Sequence, residues 1–289
     1  MIYCPYTDQD IPEVQANSEH IIPLSLGGVD GFEIPVDATF NSEVGSELDG
    51  ALANEFLFAL RRTEFDTRGH SGKKPLATIK NASYGDHNHP AQAHFHKKDG
   101  LRVWDARSRE VKERVPSVRI STSLNIDLPY RFTSKVALAA GYFVYGNLFR
   151  HNVDHVQLRD VMKTDLAGLD LARSPEELGL GHLTLRVDSY LREVCEDSDP
   201  ALVCLRSFCS GVKGSVVVLM PGHNCFGVAV GILGQYVGMV KVPANTTSFP
   251  NQGPYRLGHV LAVIDKTLKR CSWADGFIQW AGEPWEGSA

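Results

Sequence analysis

The chain has 289 residues, 43% of them apolar and 22% charged, with a formal net charge of −5. That balance describes a folded globular protein with room for one large domain or two ordinary ones, and excludes disordered, coiled-coil and collagen-like chains. No apolar run reaches the roughly 18–20 residues of a membrane helix, and the opening MIYCPYTDQD lacks the basic and apolar regions of a signal peptide. A cytoplasmic protein with no membrane partner is expected.

Charge is unevenly placed. Residues 1–60 hold eleven Asp and Glu and no Lys or Arg, whereas residues 61–120 hold fourteen Lys and Arg against seven acids. An acidic block beside a basic one suits a metal-holding site next to a surface for a polyanion, although two solvated faces would give the same pattern. The six cysteines, Cys4, Cys195, Cys204, Cys209, Cys225 and Cys271, include no C-x-x-C pair. They read as buried small hydrophobes rather than a disulfide framework.

In chain order, residues 18–40 alternate short strand patterns with a Gly-Gly turn, and residues 42–62 read as one amphipathic helix. Val44, Leu48, Leu52, Phe56 and Leu60 fall on one i,i+4 row, and Arg61 and Arg62 close its C-terminal end. The polar stretches 67–75 and 125–129 mark boundaries. Residues 131–150 carry a second, buried helical stripe through Phe132, Val136, Ala140, Phe143 and Val144. KGSVVVLM, NCFGVAVGI and QYVGMVKVP are β-branched runs parted by turns, an antiparallel meander by pattern. Residues 255–270 are expected to carry a final helix. The fold class is α+β, with residues 1–62, 63–125 and 126–289 as its three parts.

The chemistry sits in S-E-H-I-I-P-L-S-L-G-G (18–28) followed by Asn41 at the mouth of the first helix. A strand–loop–strand–helix layout can bring Glu19, His20 and Asn41 together. Taken singly, Asn41 also suits a helix N-cap, Glu19-His20 a surface acid beside a core histidine, and the glycines a plain turn.

Together these residues resemble the HNH (His-Asn-His) nuclease superfamily with its ββα-metal site. The likeness is to members carrying E-H-I-I-P-x-x-L-G-G and then N-x-x-x-G-x-x-[ILV]-D, and it covers about residues 3–62. R-G-H-S-G-K (68–73) and S-K-V-A-L-A (134–139) are weaker echoes of the same family. The resemblance implies a divalent-metal-dependent endonuclease acting on DNA, in restriction or defence against phage. It makes His20 the general base, with Glu19 and Asn41 holding one Mg²⁺ or Mn²⁺. The alternative is an HNH fold without activity that binds nucleic acid or senses a ligand.

Two departures from the family stand out. Its zinc knuckle needs four cysteines, and here Thr7, Ala38 and Phe40 occupy that region while only Cys4 remains, so structural zinc is expected to be absent. The middle asparagine has no evident counterpart, and Asp30 and Asp37 both stand as partners for His20. D-H-N-H-P-A-Q-A-H-F-H-K-K (86–98) pairs His87 with His89 and His94 with His96. It is expected to be a polar loop, with zinc binding as the rival reading. The nucleic-acid track is expected on Arg61, Arg62, Arg68, Lys73, Lys74, Lys97, Lys98 and Arg102. Residues 126–289 are left for recognition, sensing or a homodimer that cuts both strands, with a monomeric nickase as the other possibility.

Overall fold

A computed structural model describes residues 1–112, 114–122, 125, 127–163, 184–187 and 200–280. Cys195 lies outside them, and so does the side chain of Val44. The mixture of helix with antiparallel sheets is α+β, as expected from the sequence.

The chain opens with two small antiparallel ribbons. Strands β1 (Ile2–Cys4) and β2 (Gln9–Ile11) pair first, then β3 (Ala16–His20) and β4 (Glu33–Asp37), with Glu19 opposite Ile34 and His20 opposite Glu33. Between β3 and β4 the glycine pair has steric reasons. Gly27 sits at φ +87°, where its left-handed backbone closes the turn Leu24–Leu26. Gly28 presses so closely on the carbonyl of Ile22 that a Cβ would stand 1.7 Å from its oxygen.

Helix α1 (Ala38–Phe40) follows β4 directly, a wide π turn spans Asn41–Gly45, and α2 (Ser46–Asn54) continues the run. The N-cap is Asp37, whose carboxylate accepts the Phe40 amide at 2.8 Å. Asn41 is therefore released from capping and lies 5% exposed inside the helical run.

The single helix expected over 42–62 is broken. Glu55 takes an extended backbone (φ −55°, ψ 136°), and α3 (Phe56–Phe65) starts anew. The break turns the i,i+4 row: Leu48 and Leu52 stay buried, but beyond it Phe58 enters the core while Phe56 turns to Phe95, ring centroids 5.7 Å apart.

Residues 77–120 form a five-stranded antiparallel sheet in the order β8-β7-β6-β5-β9. Its strands are β5 (Ala77–Tyr84), β6 (His89–His96), β7 (Gly100–Asp105), β8 (Val111–Lys112) and β9 (Val118–Ile120). Most of the histidine stretch is thus a strand rather than a loop, because Ala91 and Ala93 alternate inward and give β6 a buried face.

Helix α4 (Asp127–Tyr145) is buried along nearly its whole length, followed by α5 (Asn147–Asn152) and α6 (Val156–Lys163). Strands β10 (Thr184–Val187), β11 (Ser215–Gly222), β12 (Cys225–Ile232), β13 (Gln235–Pro243), β14 (His259–Ile264) and β15 (Thr267–Ser272) make the larger sheet, ordered β10-β13-β12-β11-β14-β15. The meander over β11–β13 matches its sequence pattern. Residues 255–270 carry β14 and the start of β15 instead of a helix. Val260, Leu261, Ala262 and Val263 alternate between the two faces of a sheet buried on both sides, and such a continuous apolar run does not distinguish strand from helix. The final helix is α8 (Trp273–Trp280), which packs with α7 (Pro200–Gly211).

The sheet separates two apolar layers. Val217, Leu219, Val228 and Val230 face α4 and a core that runs on without interruption to Ile21, Ile22, Leu26 and Phe32. Val216, Val218 and Ala229 face α7 through Leu205, Phe208 and Cys209. Buried Ser215 clips the two ends together, donating to the Leu26 carbonyl at 2.7 Å and accepting the Leu233 amide at 3.1 Å. The first ribbon is tied to α6 in the same way. Arg159 donates to Asp8 at 2.9 Å and to His155 Nδ1 at 2.8 Å, and His155 Nε2 donates to the Arg150 carbonyl at 3.0 Å.

Burial, then the Arg159 charge, hold the His155 imidazole below its ordinary pKa of 6.5. A histidine depressed on folding gives its full stabilisation above the unfolded pKa and loses it as pH falls through the folded one. Thermal melts of the wild type should therefore decline as pH is lowered from 7 towards 5, and His155→Gln should flatten that decline. Equal slopes for the two proteins would contradict the assignment.

Candidate functional site

The site lies where β3 ends against the α1–α2 run and α4. Side chains alternate along a strand, so neighbouring Glu19 and His20 meet different partners. Glu19 turns towards the helices: its Oε2 accepts Asn41 Nδ2 at 2.9 Å, and its Oε1 accepts the Lys135 ammonium. Asn41 Nδ2 also reaches Asn17 Oδ1 at 3.3 Å. Asn41 keeps a right-handed helical backbone (φ −63°, ψ −38°) at the start of the π turn.

Lys135 comes from α4 and is 1% exposed. Besides Glu19 it donates to both oxygens of Asp49 at 2.7 Å. Burial works against the ammonium, but Asp49 and Glu19 together keep its pKa above the usual 10.5. Burial pushes the Asp49 carboxyl up to about 6; Lys135 opposes the shift and the Glu19 carboxylate adds to it. One ammonium thus faces two carboxylates, and the cluster keeps a formal charge of −1 when all three are ionised.

His20 turns to the other side. Its Nε2 stands 3.2 Å from both Asp30 Oδ1 and Glu33 Oε1, and its ring meets the edge of His70 with centroids 5.7 Å apart. Ionised carboxylates only accept, so Nε2 is the nitrogen that donates to them. Of the two candidate partners for His20, Asp30 fills the place and Asp37 caps the helix. Glu33 is further held by Ser18, which donates to its other oxygen. Among the described residues, His20, Asp30 and Glu33 form the cluster of three whose donor atoms come within 4.8 Å of one another.

The structure places Glu19 and Asn41 as neighbours across 22 positions of sequence. Adjacent ligands of an octahedral Mg²⁺ with bonds of 2.0–2.1 Å stand about 2.9 Å apart. The Glu19–Asn41 contact has that spacing, and turning the amide over presents its oxygen. The Tyr6 hydroxyl, fully buried in the field of Glu19 and Asp49, has no hydrogen-bond partner among the described residues. An orphaned hydroxyl there is consistent with a polar occupant of the site. Glu19 Oε2 and a turned Asn41 amide would offer two oxygen ligands to a hard divalent cation. At the expected knuckle position Cys4 is buried, its sulfur accepting the Asp37 amide at 3.3 Å while Tyr6 packs on Phe40.

The expected nucleic-acid residues divide by environment. Lys73, Lys74, Lys97 and Lys98 are exposed. Arg68 binds Asp66 at 3.1 Å, and Lys74 and Lys97 lie near enough to lower the same carboxyl after the Arg68 hydrogen bond. Arg102 pairs with Asp99 at 2.8 Å and Arg61 with Glu64 at 2.8 Å. Arg62 is committed inward, donating to the carbonyls of Ser25 at 2.9 Å and Ala53 at 2.8 Å. His94 and His96 share a face with ring centroids 6.5 Å apart, but no group of three potential metal donors forms there among the described residues.

Four residues of the site went unassigned from sequence. Asp49 closes the N-x-x-x-G-x-x-[ILV]-D motif, and Lys135 and His70 lie in the two weaker echoes, so a signal existed for each. Glu33 had none beyond its place on the second strand. Known protein families, curated proteins and solved structures provide no match to this chain.

Because Arg62 satisfies two carbonyls, Arg62→Gln should lower stability by about 1.5–3 kcal/mol in urea unfolding, the range for hydrogen bonds to charged groups. A loss within about 0.5 kcal/mol, typical of a free surface side chain, would return this guanidinium to the ligand-binding set.

Proposed function

We propose that the chain is a divalent-metal-dependent endonuclease of the HNH type that hydrolyses DNA phosphodiester bonds. The observation that carries this reading is the contact between Glu19 and Asn41, which brings together two hard ligands, one of them the strand neighbour of His20. The sequence motif and the strand–strand–helix frame support it.

Hydrolysis needs a water deprotonated in line with the leaving oxygen. Asp30 and Glu33 hold the His20 ring through Nε2, and in the neutral ring Nδ1 would take that proton. Glu19 and Asn41 would hold Mg²⁺ or Mn²⁺, which when bound offsets charge on the phosphoryl oxygens. The scissile phosphate then belongs at the end of β3, between these two groups. The loop carrying His70 leads from His20 to Arg68, Lys73 and Lys74, and so connects the site to the positive surface that Lys97 extends.

A second reading, nucleic-acid binding without hydrolysis, draws on Lys135, whose ammonium already balances part of the carboxylate charge. Supercoiled plasmid with Mg²⁺, against an EDTA control, separates the two: nicked or linear product supports the nuclease, and retarded but intact plasmid supports the binder. His20→Ala should slow cleavage about 10²–10⁴-fold, the usual contribution of a general base, while its circular dichroism stays that of the wild type. A folded variant that cuts at the wild-type rate removes His20 from the mechanism.

Neutralising Lys73, Lys74, Lys97 and Lys98 to Gln together should weaken binding to every DNA sequence and flatten the dependence of log affinity on log salt. An unchanged slope would place the phosphate contacts elsewhere on the chain.

A further inference from the structure

The proposed metal position has a fixed cation beside it. Lys135 Nζ lies between Glu19 and Asp49, and its α4 neighbours Ser134, Val136, Ala137 and Ala139 are all buried, so the stem has no room to withdraw. Its contacts divide the Glu19 carboxylate: Oε1 is taken by the ammonium, and Oε2 alone faces Asn41. Without that ammonium, Glu19 and Asp49 would be adjacent carboxylates, an arrangement that chelates divalent ions by itself.

We infer that Lys135 is the positioning residue of the metal site. Its ammonium occupies the place between Glu19 and Asp49 where a divalent ion would otherwise settle, and so confines the metal to the Glu19 Oε2–Asn41 edge. This rests on the nuclease reading, which supplies the metal. Lys135 touches neither substrate nor reacting atoms; it acts through Glu19.

The variant Lys135→Met keeps the length and apolar packing of the stem. In the full-length chain it frees both Glu19 oxygens and opens the Asp49 side. Mn²⁺ should bind at least as tightly as to the wild type, about tenfold more so by titration calorimetry. Cleavage of supercoiled plasmid should fall about 100-fold and stay low at saturating Mn²⁺, the scale expected when a reacting group is misplaced by about 1 Å. Electron paramagnetic resonance of the bound Mn²⁺ should show an altered ligand field.

A purely charge-balancing role predicts something else, and the double variant Asp49→Asn with Lys135→Met tests it, since its cluster keeps the wild-type charge of −1. That chain also carries the experiment if the single variant does not fold. Continued slow cleavage with intact Mn²⁺ binding supports positioning. Wild-type cleavage by either variant overturns it, as does joint loss of Mn²⁺ binding and cleavage in a folded variant. If the wild type binds Mn²⁺ but never cuts DNA, the nuclease reading fails. The affinities then still decide: tighter Mn²⁺ binding in Lys135→Met supports confinement by Lys135, and an unchanged affinity overturns it. A wild type that binds no Mn²⁺ overturns both.

Discussion

A buried ammonium held between two carboxylates is the constraint around which the N-terminal half is arranged. Taking Lys135, Glu19 and Asp49 out of water is costly unless each charge finds a partner at hydrogen-bond distance. That requirement fixes three pieces of chain relative to one another: the end of β3, the first turn of α2 and the third turn of α4. None of the three can shift without stranding a charge in an apolar surround. The same requirement limits what Glu19 can offer a ligand, because half of its carboxylate is already engaged.

Helix α4 carries that charge within a largely apolar run, its other charged residues, Asp127 and Arg131, standing in its first two turns. One side supports the N-terminal ribbons and α2, and the other lies on β12 and β13, so the core passes from Ile21 and Phe32 to Val228 and Val240 without a polar gap. Buried on all sides, it behaves as a central core helix rather than an amphipathic surface one. Ser215 adds a polar tie between the Leu24–Leu26 turn and β11. The motif region and the large sheet are therefore parts of one packed body, even though the motif itself ends near residue 62.

Where expectation and structure part, the cause is local pattern meeting tertiary packing. The i,i+4 row from Leu48 to Leu60 is a sound helical signal, but the turn at Glu55 lets Phe58 reach the core and Phe56 reach the second sheet, which a straight helix could not do together. The run around Val260–Val263 is apolar on both faces and so carries no period. Asn41 has the residue type of an N-cap, but Asp37 takes that duty, and the Asn41 amide donates to Glu19 instead.

From sequence alone, the α+β class, the meander of β11–β13, the buried helix near 131–145 and the nearness of Glu19 to Asn41 were legible, because each rests on short-range pattern or on a motif with fixed spacing. The glycine pair at 27–28 was legible as a turn, and its steric reason came only with the carbonyl of Ile22. The opposite facing of Glu19 and His20, the choice of Asp30 over Asp37, and the inward commitment of Arg62 were decided by tertiary structure. So was the arrival of Lys135 from 116 positions away at Glu19. Spacing along a chain constrains neighbours within a turn or a strand pair. Which charge meets which across a core depends on how whole elements pack, and that is set by the summed burial of many residues rather than by any local pattern.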